Sequence, residues 1–156
     1  AADTHARFDA LSRTYVYEVS RKKDAFNYKN THTYTLPLDV GLMNQAAKIL
    51  FDYTDFQCFS KVKTDVKTYD CSLMEAKWEQ NQNKLTFKIK ADRFLRNMVR
   101  AIVGTMIEVG AKKRTLEEFR AVILSKNRSN AGTSAPAQGL YLIDIEYPKS
   151  IYLDEK

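Results

Sequence analysis

The sequence predicts an α+β domain: a mainly antiparallel, mixed sheet with helices packed on one face. Two observations carry that expectation. Apolar residues repeat at every second position in some stretches and at helical spacing in others, and these stretches follow one another as strand, helix, hairpin, two helices and strand. No repeat, low-complexity tract or Pro/Gly linker divides the 156 residues, so one domain over residues 1–156 is expected. A chain of this length buries roughly 70% of its unfolded surface and needs no disulfide or metal staple.

The elements follow in order. Residues Arg13 to Ser20 read as a strand, with Tyr15, Tyr17 and Val19 on one face and Thr14, Val16 and Glu18 on the other. Residues 21–36 are polar and loop-like. Pro37 then precedes a helix that Asp39 can cap, with Leu42, Met43, Ala46, Ala47, Ile49 and Leu50 as its apolar stripe. The segment Asp55-Phe56-Gln57-Cys58-Phe59 is a compact connector. In the hairpin, Met74, Ala76 and Trp78 alternate with polar neighbours. After the turn Gln80-Asn81-Gln82-Asn83, Leu85, Phe87, Ile89 and Ala91 alternate with Thr86, Lys88 and Lys90.

The period then lengthens. From Phe94 to Val109 the positions of Leu95, Met98, Val99, Ile102, Met106 and Val109 predict a helix, with Asp92 as its cap and Gly110 after its end. Thr115-Leu116-Glu117-Glu118 matches a capping box and opens a second helix, whose buried face is Leu116, Phe119, Val122 and Ile123. A small-residue loop from Ser129 to Gly139 leads into a last strand, Leu140 to Tyr147. Phe87, Phe119 and Tyr141 lie at core-period positions.

Composition bounds the function. Apolar residues make up 44% and charged residues 28%, which is globular balance and argues against disorder. No apolar run approaches the roughly 20 residues of a membrane span, and there is no signal peptide pattern. The chain opens Ala1-Ala2-Asp3-Thr4-His5, without Met, which reads as a cut inside a longer protein. Lys and Arg total 25 against 19 acids, a net charge of +6, which suits a polyanionic partner but is shared by basic domains that bind no nucleic acid. Cys58 and Cys71 form no C-x-x-C, and His5 and His32 are far apart, so no metal site is expected and reduced thiols in a cytoplasmic protein fit best.

Chemistry concentrates between Ala91 and Gly104. On a helix, Arg93, Arg96 and Arg100, spaced three and four apart, share one face. Arg93 and Arg96 suit a surface role, including phosphate binding. Arg100 sits among apolar Val99, Ile102 and Val103, so its head is expected to be partly buried and in need of an anion. Glu108 is too far along to serve. A salt bridge to a distant acid and a role in a site both stay open. Gly104 inside a helix costs about 1 kcal/mol relative to Ala, which close approach by another segment usually explains. The loop Ala131 to Tyr141 has no G-K-[ST], so it is not a P-loop, but its small residues let backbone come close to something. There is no Ser/His/Asp triad, no supported Cys/His pair and no RNP1 pattern. Residues and spacing alone thus reach a basic α+β domain for which RNA is one candidate partner.

Longer motifs go further. His5-Ala-Arg-Phe8, Ser12-Arg-Thr-Tyr-Val-Tyr17, Asp55-Phe56 with Phe59, Phe94-Leu-Arg-Asn-Met-Val-Arg-Ala-Ile-Val-Gly104, Val109-Gly110, Ala131-Gly132 and Ala135-Pro-Ala-Gln-Gly-Leu-Tyr-Leu142 occur in that order. Together they resemble the C-terminal portion of the bacterial tRNA pseudouridine synthase A (TruA) family, over essentially the whole chain. The resemblance implies a pseudouridine synthase-like fold and conversion of uridine to pseudouridine in the tRNA anticodon stem-loop, at positions 38–40. It implies an essential Asp nucleophile, no cofactor, tRNA as partner and a homodimer. The family's Asp lies in a G-R-T-D-A-G-type motif of the N-terminal portion, and that motif is absent from this chain. The resemblance therefore implies a fragment inactive by itself. By motif position, Tyr15 matches the active-site Tyr, stacking on the uracil or helping move the C5 proton. Arg100 matches the Arg that pairs with the catalytic Asp. Leu140 would help floor the pocket, and Arg7 with nearby cations would hold phosphate. A non-catalytic RNA-binding module and a protein-binding domain stand as alternatives.

Overall fold

The computed structural model describes residues 10–26, 28–61 and 66–148. Strands β1 (Ser12–Ser20), β2 (His32–Thr33), β3 (Leu73–Asn81), β4 (Lys84–Ala91) and β5 (Leu140–Glu146) form one sheet, and helices α1 (Val40–Ile49), α2 (Met98–Gly110) and α3 (Leu116–Ser125) pack on it. The order is β2-β1-β4-β3, with β5 also pairing β1. β1 is therefore central. It runs antiparallel to β4 along one edge, and its other edge pairs antiparallel with β5 through Ser12–Tyr17 and parallel with β2 at Val19–Ser20. This is the mixed, mainly antiparallel α+β architecture the periodicity predicts. The short parallel β2 falls within a stretch read as loop, because two residues carry no periodic signal.

The period-2 faces sort as expected except at Met74, which is 49% exposed where a register shift between Leu73 and Glu75 leaves Leu73 against the core in its place. Tyr17, Val19, Leu85, Phe87, Ile89 and Trp78 turn to one side and join one core with Met43, Ala46, Ala47, Ile102, Met106, Phe119 and Val122 from the helices. Burying each such large side chain contributes about 1.5–3 kcal/mol. The other face carries charge, with ion pairs Lys84–Glu18, Lys88–Glu75 and Lys90–Glu146. A hairpin of that kind can be solvated on one side.

The expected caps at α1 and α3 form. Asp39 accepts from the Leu42 N–H at 3.0 Å. At α3 the capping box is complete: Thr115 Oγ1 accepts from Glu118 N–H and the Glu118 carboxylate accepts from Thr115 N–H, each at 3.0 Å. That bond from the backbone holds the Glu118 carboxyl below its ordinary range.

Several expectations need correction. The long helix begins at Met98, not Phe94, because Asn97 takes a left-handed backbone (φ 69°) and residues before it form a turn closed by Met98 N–H to Leu95 O. Asp92 does not cap it; its carboxylate accepts from Ser72 N–H at 2.7 Å. Gly110 is the last helical residue and not the one beyond. Tyr141, placed in the core by period, is 39% exposed. A register shift between Thr14 and Tyr15 sets Tyr141 opposite Val16, on the face away from the helices.

Candidate active site

β1 is a rigid platform for two tyrosines that point, two residues apart, to the helix side of the sheet. Tyr15 is half-buried and meets the Phe94 ring edge-to-face, with centroids 5.1 Å apart. Tyr17 is fully buried, and its hydroxyl donates to Pro136 O at 2.6 Å. Burial pushes the Tyr17 phenol well above its ordinary value, while the nearby Arg100 charge pulls it partly back. Arg100 is thus within electrostatic reach of Tyr17. It lies in the first turn of α2, half-buried as expected.

Arg100 is clamped to one residue of the 131–139 loop. Its Nε donates to Ala135 O at 2.7 Å, and Ala135 N–H donates to the Arg100 carbonyl at 2.9 Å. The loop reaches this position because Gly104 lets it. A Cβ on Gly104 would overlap the Thr133 carbonyl oxygen, so only glycine admits this approach of loop to helix. The small-residue loop and the helical glycine, singled out separately in the sequence, are the two halves of that contact. Further bonds hold the loop: Gly132 N–H to Thr105 Oγ1 at 2.9 Å, Asn97 Nδ2 to Ser134 Oγ at 2.6 Å, and Arg128 to Gly132 O and Ser134 Oγ at 2.9 and 2.8 Å. Asn97, Arg128 and Ser134 were not singled out in the sequence. Asn97 meets Ser134 across 37 positions and Arg128 makes ordinary loop bonds, and neither leaves a periodic trace.

The structure brings Tyr15, Arg100 and Leu140 onto one side of the sheet. Leu140 stands opposite Tyr17 in the β1–β5 register, half-buried against the core. It does not gather the other cations. With the helix starting late, Arg93, Arg96 and Arg100 share no helix face. Arg93 Nη1 instead donates to Thr68 O, Thr68 Oγ1 and Asp70 O at 3.1–3.2 Å, tying down the segment before β3. Arg96 is exposed and forms no ion pair with Asp92 among the described residues. Arg7 and the His5–Phe8 motif lie outside the described residues.

The arrangement is built to accept an anion. A guanidinium carries five N–H donors. Among the described residues the Arg100 side chain uses one of them, Nε, on a neutral carbonyl, and no carboxylate pairs with it. Its terminal fork is therefore left for a bidentate partner, the geometry a carboxylate fits. No group of three His, Cys, Asp or Glu among the described residues could hold a metal ion. No helix among them is long and apolar enough to cross a membrane.

The sequence is also similar to known proteins. Residues 46–148 match the family described as tRNA pseudouridine synthase. The chain is 52% identical over 150 residues to a Parabacteroides distasonis protein and 51% identical over 151 residues to one from Bacteroides fragilis, covering 96% of this chain in both. A protein from Syntrophomonas wolfei is 35% identical over 150 residues, covering 95% of the chain. All three are named tRNA pseudouridine synthase A, and the chain spans 60% of the length of each.

Proposed function

The chain belongs to the tRNA pseudouridine synthase family, and we propose that it is the C-terminal part of an enzyme that isomerises uridine to pseudouridine in the anticodon stem-loop of tRNA, at positions 38–40. The observation that carries the reading is the free terminal fork of Arg100, a half-buried cation without a carboxylate among the described residues. A buried charge left unpaired is costly, and an Asp carboxylate supplied by the rest of the protein would relieve that cost. The pair would keep the Asp ionised and aimed. Attack of the carboxylate on the uridine leads to cleavage of the glycosidic C1′–N1 bond; the base turns, C5 bonds C1′ and the carboxylate is released, and the C5 proton leaves as N1 gains one. Tyr15, on a strand, would hold the flipped uracil by stacking, with Leu140 as apolar floor. Arg96, Arg7 and, with the donors its loop contacts leave over, Arg93 would meet phosphate. The chemistry asks for no cofactor.

In this reading the fragment lacks its nucleophile and is inactive by itself. The whole enzyme is a homodimer that acts in the cytoplasm, where the unpaired Cys58 and Cys71 stay reduced. The test uses full-length enzyme and tRNA labelled with tritium at uridine C5. Wild type should release tritium, and Arg100→Ala should abolish release while tRNA binding persists. Tyr15→Phe separates stacking, which survives, from a need for the hydroxyl. Normal release by Arg100→Ala would refute the assigned role. Salt-sensitive tRNA binding with no release by the wild type would favour a non-catalytic RNA-binding module, and no tRNA affinity at low salt a protein-binding domain.

A further inference from the structure

We propose that a pocket between the single turn Gln57–Phe59 and the C-terminal end of α3 binds a tRNA nucleotide other than the target uridine. The proposal rests on the function proposed above, and it adds where on this chain the rest of the substrate is held. The pocket has a volume of about 360 Å³, within the range of small-ligand sites. Its wall combines three kinds of group: cations (Lys61, Lys126, Arg128), neutral polar side chains (Gln57, Asn127) and the half-buried ring of Tyr69. Phosphate, base edge and base face are the three things a single-stranded ribonucleotide presents, and these groups answer them in turn.

The cations are available. Arg128 spends its fork on Gly132 and Ser134, so it supplies charge and a fixed wall. Lys61 has no ion pair among the described residues, and its backbone N–H donates to the carbonyl of exposed Arg96 at 3.0 Å, which brings in a second cation without an ion pair among the described residues. Lys126 meets Asp55 at 3.5 Å, but that carboxylate also accepts from Gln57 N–H at 3.0 Å. One acid therefore faces several cations around one concavity, leaving a surplus that phosphate would neutralise.

Lys126 sits at a special backbone position. It caps α3 in the left-handed region, φ 54°. That position favours Gly or Asn, and a lysine holds it under strain. Lys112 shares that backbone away from this pocket and so provides a matched control. The pocket also backs onto the catalytic cluster, since Arg128 and Asn97 both bond Ser134, the neighbour of the Ala135 that clamps Arg100.

The test compares Lys61→Gln/Lys126→Gly with Lys112→Gly in full-length enzyme. Lys112 is also a left-handed lysine, φ 62°, but lines a different concavity. Glycine should raise the urea midpoint at both sites, so any loss of binding is not a folding defect. For the double variant, the slope of log Kd against log salt should shrink by about 1.4, the loss of two single-strand phosphate contacts, and the KM for tRNA should rise. Lys112→Gly should leave both unchanged. An unchanged slope and KM in the double variant, or an equal drop in Lys112→Gly, overturns the proposal while leaving a tRNA-modifying wild type intact. A wild type that neither binds nor modifies tRNA overturns both readings.

Discussion

Replacing Gly104 by Ala sets two effects of opposite sign against each other. Within a helix the change should stabilise by about 1 kcal/mol, because Ala loses less backbone entropy on folding. Against that, the new methyl would overlap the Thr133 carbonyl oxygen and lie 3.0 Å from Thr133 C and 3.2 Å from Ala135 N. All three are backbone atoms, so no side-chain rotation relieves the contact. The loop cannot retreat freely, since Gly132 N–H is bonded to Thr105 and Ala135 N–H to Arg100, each at 2.9 Å. Overpacking of this kind costs about 1–3 kcal/mol, and the rigid partner puts it at the upper end. The net expectation is a loss of about 2 kcal/mol, read as a lower urea midpoint at unchanged m-value. Because the displaced segment carries the carbonyl that holds Arg100 Nε, tritium release should fall as well. A midpoint that is unchanged or higher would refute the claim that loop approach is what requires glycine here.

Two further outcomes follow from buried groups. Tyr17→Phe should cost about 1 kcal/mol and not the larger penalty of an orphaned acceptor, because Pro136 O keeps a second, longer bond from Gly139 N–H at 3.4 Å. Burial raises the folded phenol above its ordinary 10.0, so the folded state keeps a proton that the unfolded state loses; stability is intact below pH 10.0 and falls above it, and Tyr17→Phe should flatten that alkaline fall in urea midpoints measured across pH. A fall as steep as wild type would contradict it. Burial pushes Cys58 up to about 12 and Cys71 up to about 11, so neither thiol should react with an alkylating reagent at pH 8 until urea unfolds the chain. Rapid labelling of the native protein would count against this packing.

Much of the fold could be read directly because its signals are local. The alternation in Lys84–Ala91, the Asp39 cap and the Thr115–Glu118 box each involve neighbours a few positions apart, and each forms as read. Arg100 was legible for a similar reason: a cation in an apolar helical run must find a partner. What was not legible involves distant groups. The start of α2 depends on Asn97 adopting a left-handed backbone while its side chain bonds Ser134, 37 positions on. The use of Arg93 depends on carbonyls more than 20 positions back.

The sequence by itself therefore determined the kinds of elements, their order, the face each buries and the residues able to do chemistry, since hydrophobic period and capping act within one or two turns. Tertiary structure alone decided which way Tyr141 points, where α2 begins and which carbonyl holds Arg100. Each of those depends on a strand register or a hydrogen bond between segments far apart in the chain, and backbone groups that every residue shares leave no mark in composition or spacing.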